Sequence, residues 1–143
     1  MKIQIDYSLP QKEIANEALA AGGVAVLYQI EGYFAISIVA KRFLEDPYMN
    51  LLELAACFYK WLYIHGAASD FVFVSIDHDE PILVFAQVGE EIWTVDSIWK
   101  KGDQLQVERK ELLSAVEEYL VRLNYDLQER YGLKIASFVE CVP

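Results

Sequence analysis

The chain has 143 residues, 55% of them hydrophobic, and 22 Asp and Glu against 12 Lys and Arg give a formal net charge of −10. That length and apolar content point to one domain, residues 1–143, with a substantial core, and exclude intrinsic disorder. The charge repels nucleic acid and anionic membrane surfaces and favours either a basic protein as partner or simply solubility.

From the first residues, Ile3, Ile5 and Tyr7 alternate with Lys2, Gln4 and Asp6, as in a half-buried strand. Ser8 and Gln11 have the spacing of a capping box, with Pro10 in a first turn, so a short helix is expected through Ile14, Ala18, Leu19 and Ala21. Gly22 and Gly23 end it. Residues Val24 to Ile30 and Tyr33 to Ala40 then read as two strands around a Glu31-Gly32 hairpin turn. Lys41, Arg42, Glu45 and Asp46 mark a polar connection.

A long amphipathic helix follows. Leu51, Leu54, Ala55, Phe58, Trp61 and Leu62 recur at spacings of three and four, which puts them on one face. Asp46 before Pro47, or Asn50 with Glu53, is the expected cap, and His65-Gly66 the stop. The period then falls to two. Phe71 to Ile76, Ile82 to Val88 and Ile92 to Trp99 read as a three-stranded antiparallel meander, turning at His78–Pro81 and at Gly89, Glu90 and Glu91. In the last strand Trp93, Val95, Ser97 and Trp99 share one face.

After a Gly102-Asp103 loop, a second long helix is expected from Glu108 to Tyr131, with the stripe Leu112, Leu113, Val116, Tyr119, Leu120, Leu123 and Leu127. Gly132 stops it, and Lys134 to Val142 form an edge strand or a tail. The hairpins and the absence of regular βαβ alternation give an α+β class. The expected architecture is an antiparallel sheet of five to seven strands, with two long helices and one shorter helix mainly on one face. The other face is then partly open to a partner.

Charge is the unusual feature. Between Gly66 and Trp99 stand Asp70, Asp77, Asp79, Glu80, Glu90, Glu91 and Asp96, with no Lys or Arg. Such acids at strand ends are either solvated residues that discourage edge pairing or an electronegative patch for a cationic partner. The candidate partner-binding residues are Asp77, Asp79, Glu80, Glu90, Glu91, Trp93 and Asp96. Trp93 and Trp99 are core if their face meets the helices, and aromatic anchors if it does not.

Chemistry is sparse. Asp77-His78-Asp79-Glu80 carries metal-ligand types but matches no EF-hand spacing, and adjacent turn residues diverge, so a solvated turn is expected. A small hydrolase would use paired carboxylates, such as Asp96 with Glu90 or Glu91, together with His78, but acids are too plentiful here for the pairing to be specific. Cys57 lies in or beside the helix stripe, and a dyad with His65 or His78 would need it exposed. Glycine-rich phosphate loops are missing, and no cofactor is expected. Cys57 and Cys141 make neither a disulfide framework nor a zinc pattern. With no signal-peptide pattern and no apolar run of membrane-spanning length, a reducing cytoplasm is the expected compartment.

In size, acidity, layout and lack of a catalytic motif, the chain resembles the immunity proteins of bacterial polymorphic-toxin and contact-dependent growth inhibition systems. The resemblance implies a cytoplasmic, non-enzymatic protein that binds and neutralises a basic toxin domain, such as a nuclease. Two alternatives are a homo-oligomeric interaction or regulatory module, as a homodimer through the Trp93 and Trp99 face, and a small carboxylate-dependent hydrolase.

Overall fold

A computed structural model describes residues 2–39, 41–75 and 78–143, and among them seven strands form two antiparallel sheets. β1 (Ile3–Ser8), β2 (Glu31–Ile38) and β3 (Lys41–Asn50) make the first, in the order β1-β2-β3. β4 (Phe71–Phe73), β5 (Leu83–Gln87), β6 (Ile92–Asp96) and β7 (Leu105–Glu108) make the second, in sequence order. The class is the expected α+β, but the single larger sheet is replaced by two.

The first half departs most from the expectation. Ser8 belongs to β1 and pairs with Tyr33, so its backbone is extended and caps no helix. The first helix, α1, is only Asn16–Ala21, and Val24–Leu27 forms a helical turn, α2, where a strand was expected. Glu31 and Gly32 lie inside β2. Gly32 is there for close approach: a Cβ would stand 2.2 Å from the Ser8 carbonyl oxygen and 2.9 Å from Leu51 Cδ1. The expected polar connection is β3, an edge strand, which accommodates Lys41, Arg42 and Pro47. Inside it, Asp46 accepts a hydrogen bond from the Tyr48 N–H at 2.9 Å.

β3 runs without a loop into α3 (Leu51–Tyr59). The first helical N–H, of Leu51, is satisfied by the Ile30 carbonyl at 2.8 Å, and Asn50 makes no side-chain cap. Its amide instead donates to Glu53 at 3.2 Å. The helix widens into a π-helical segment over Lys60–Ile64 and stops at His65 and Gly66, as expected. Residues Leu51, Leu54, Ala55, Phe58 and Trp61 are buried, so the stripe is the core face.

β4, β5 and β6 are the expected meander. β6 ends at Asp96, three residues short of Trp99, and β7 is a fourth, unexpected strand between the Gly102-Asp103 loop and the long helix, taking in Glu108, the expected helix start. The long helix α4 spans Arg109–Tyr131 and buries Leu112, Val116, Tyr119, Leu120, Leu123 and Leu127. Gly132, at φ 69, ends it in the left-handed region, where the missing Cβ removes the penalty. Ile135–Cys141 is a 3-10 tail that packs on α3.

One continuous core joins both sheets through α3 and α4. Phe58 of α3 stacks on Phe85 of β5 at 5.7 Å and meets Tyr119 of α4 edge-on at 5.7 Å. Tyr119 meets Phe34 of β2 at 5.8 Å. Phe71, Phe73, Phe85, Trp93, Val95 and Val107 face this core, each nearly or wholly buried. The alternate residues of the second sheet, including Val72, Val84, Ile92 and Gln106, therefore point the other way. Among the described residues no helix is long and apolar enough to cross a membrane.

Candidate functional site

The four-stranded sheet separates the acids that the sequence groups together. Glu90 and Glu91 sit in the β5–β6 turn, and Asp70 belongs to the same end, accepting the Gln87 N–H at 3.0 Å. Asp79 and Glu80 lie in the β4–β5 loop, and Asp96 closes β6, both at the opposite end. A five-residue strand spans about 17 Å. Glu90 and Glu91 are thus too far from Asp96 to act with it on one substrate atom, so the paired-carboxylate arrangement is not formed. Asp77 lies outside the described residues.

The end that carries Asp79 and Glu80 is internally braced. His78 Nδ1 and Ser75 Oγ are hydrogen-bonded at 2.7 Å, and the His78 N–H donates to the Ser75 carbonyl at 3.1 Å. Across from this loop, the 97–100 turn is built on its own side chains. Asp96 accepts the Ser97 N–H at 2.8 Å, Ser97 Oγ accepts the Trp99 N–H at 3.1 Å, and Lys100 pairs with Asp96 at 2.9 Å. These are the local side-chain bonds that let Ser and Asp define turns. Lys100, and then the Ser97 N–H, hold the Asp96 carboxyl below the usual carboxylate range.

The two loops meet through one aromatic contact, the His78 ring against the Trp99 indole at 5.0 Å between centroids. Asp79 and Glu80, both exposed, follow His78 directly in the chain, and Ile98, 52% exposed, precedes Trp99 in the facing turn. Trp99 is half-buried, whereas Trp61 and Trp93 are buried. Trp93 is a correction to the sequence reading: it is fully buried, packs edge-on against Trp61 at 5.7 Å, and presents nothing to a partner. Its Nε1–H has no acceptor among the described residues. Of the two tryptophans suggested for a homodimer face, Trp93 is therefore in the core and only Trp99 has exposed surface. Sequence reasoning missed Ser75 and Ser97, whose signal was only their spacing from His78 and Trp99.

The other chemical candidates do not assemble. Among the described residues no three His, Cys, Asp or Glu side chains come together as metal ligands. Cys57 and His65 line one cleft, but burial, reinforced by nearby Glu53, pushes the Cys57 thiol up to about 12. That is the reverse of an activated nucleophile. Ser75 is buried beside His78 and borders no cleft among those described, so their bond braces the loop.

Known proteins add one comparison. No curated protein and no solved structure matches the chain. The family model described as "Domain of unknown function (DUF7878)" matches residues 2–129, a span that takes in all seven strands and most of α4, and the chain belongs to that family.

Proposed function

We propose that the chain is an inhibitory binding protein of the immunity type, which neutralises a basic protein partner by seating it where the 78–82 loop meets the 97–100 turn. The observation that carries this is the ring contact of His78, which the exposed acids Asp79 and Glu80 follow in the chain, with Trp99, the one tryptophan that is not buried and the neighbour in sequence of exposed Ile98. A half-exposed tryptophan is the kind of anchor around which binding hot spots form, and the braced turns keep its ordering cost low. No ion pair among the described residues neutralises Asp70, Asp79, Glu80, Glu90 or Glu91. Glu90 and Glu91 stand too far from this end to share its contacts, and their part is the long-range field that draws in a cationic partner.

Capture from the native host's lysate at low and moderate salt, followed by activity assay of what is bound, tests the proposal. The expected result is a basic protein whose activity is suppressed by this chain. Asp79→Asn with Glu80→Gln slows its association and flattens the salt dependence, and Trp99→Ala speeds its release. A captured protein that binds the variants equally well, or keeps full activity in the complex, refutes it.

A further inference from the structure

Two sheets have four edges, and three of them are protected. β1 is backed by α4, from which Arg122 donates to the Ile5 carbonyl and Asp126 accepts from Tyr7. β3 carries Lys41, Arg42 and Pro47, its pairing with β2 is broken by two register shifts, and Lys101 N–H donates to its Phe43 carbonyl at 2.7 Å. β7 bears exposed Gln106 and Glu108 and turns directly into α4. These are the usual devices against edge-to-edge pairing.

β4 has none of them except brevity. Its sequence is Phe71, Val72, Phe73, without charge, proline or bulge, and no strand lies on its outer side among the described residues. Val72 is 54% exposed and Val74 beyond it 44%, both β-branched. A cleft of about 360 Å³ borders this strand, and four consecutive residues, Phe71 to Val74, line it. Successive residues of a strand point to opposite faces, so only a cleft running along the edge touches all four. The cleft is also lined by Glu53 and Cys57 of α3, by Trp61 of the π-helical segment that continues it, and by Pro143.

We infer that the β4 edge accepts an extended cationic segment as an added antiparallel or parallel strand, which lies in the cleft between β4 and α3. This rests on the basic-partner reading above and specifies how part of that partner is held. The mode is main-chain pairing for affinity, with alternate side chains directed to the helix and to the open face. Charge selects the occupant. Asp70 and Glu53 line the cleft, and Asp79 and Glu80 follow the strand in its loop to β5. Of the basic side chains in the lining, Lys60 and His65, the Lys60 ammonium is drawn to the Val142 carbonyl, to which it donates at 3.1 Å. A second copy of this chain, at net charge −10, brings the same acids to the same edge and is repelled.

A short, end-blocked peptide of alternating lysine and valine is the probe, and its twin N-methylated at alternate residues is the control. Both carry the same charge, but only the first can complete a ladder. The first peptide is expected to slow hydrogen exchange in the 71–75 backbone by about tenfold or more, and the twin to bind at least about tenfold more weakly, as loss of one or two backbone hydrogen bonds requires. Val72→Lys is expected to weaken the first peptide and leave the fold intact, and Val74→Pro to do the same more strongly. Equal binding of the two peptides, or exchange protection that grows with protein concentration in the absence of peptide, overturns strand addition. The two ideas fail separately: loss of the captured protein on neutralising Asp79 and Glu80, with equal peptide binding, keeps the partner and removes the strand. A discriminating peptide response, with capture indifferent to those acids, keeps the strand and removes the partner site.

Discussion

The Tyr119 hydroxyl donates to the Leu51 carbonyl at 3.0 Å, which ties the middle of the last long helix to the first residue of α3. Tyr119 is fully buried, and its ring meets Tyr7, Phe34 and Phe58 edge-on at 5.5, 5.8 and 5.7 Å. One side chain thus joins the first sheet, α3 and α4. Tyr119→Phe keeps the ring contacts and loses the bond, at a cost of about 1 kcal/mol. Tyr119→Ala opens a cavity and costs about 3–5 kcal/mol. Urea unfolding with unchanged m-values measures both.

Alkaline titration follows from the same residue. Burial holds the Tyr119 hydroxyl well above its ordinary range, and burial with the Asp126 hydrogen bond does the same for Tyr7. Both are neutral in the folded chain and ionise near pH 10 when it unfolds. Their stabilisation is therefore complete below about pH 10 and is lost as pH rises above it. Absorbance and circular dichroism followed together should show these two tyrosines ionising only as secondary structure is lost. Their ionisation with the fold intact would contradict this.

At the acid side, Asp96 is held low chiefly by Lys100, and its contribution runs the opposite way. It is present above about pH 4, the unfolded value, and fades as pH falls through the lower folded value. Asp96→Asn should lower stability at pH 7 slightly, since the pair is partly exposed, and the deficit against wild type should vanish toward pH 2. An acid-unfolding series of the two proteins reads this directly.

The three tryptophans should divide by role. Trp93→Ala removes a fully buried indole and is expected to cost about 3–5 kcal/mol. Trp99→Ala should cost less than half of that and act on partner release. Trp93→Ala tested at a temperature where it is folded should leave partner affinity within about twofold.

Cys57 should be slow to alkylate. With its thiol at about 12, the thiolate fraction near neutral pH is on the order of a thousandfold below that of a free cysteine. Iodoacetamide labelling followed by peptide mass analysis should find Cys57 modified only after denaturation.

What was legible in the sequence were the long periodic segments. The stripes of α3 and α4 and the stops at Gly66 and Gly132 follow from spacing, because packing one helix face leaves little alternative. β3 was not legible, since an edge strand is often as polar as a loop and its Pro47 and charges serve the edge. Val24–Leu27 has strand-forming residues, yet four residues after two glycines close into a helical turn under the tertiary packing of Val26 and Leu27. Gly32 looked like a turn because a glycine needed for contact and one needed for bending are the same letter. At the site, the run of acids without an interleaved base was plain in the sequence, but the pairing of Asp96 with Lys100 just beyond it, and the division of the acids between two ends, depended on turn geometry and strand register. Trp93 and Trp99 alternate to the same side on paper and part where β6 stops at Asp96.

The contact of α4 with β1 has a consequence for how the chain is made. Each sheet is drawn from its own stretch of sequence, residues 3–50 and 71–108, so both meanders can pair while synthesis continues. Tyr7 and Ile5, however, take their partners from Asp126 and Arg122, more than a hundred residues later. On the ribosome the first strand has its open side wet until α4 has emerged, and the nascent chain reaches its final stability in one late step.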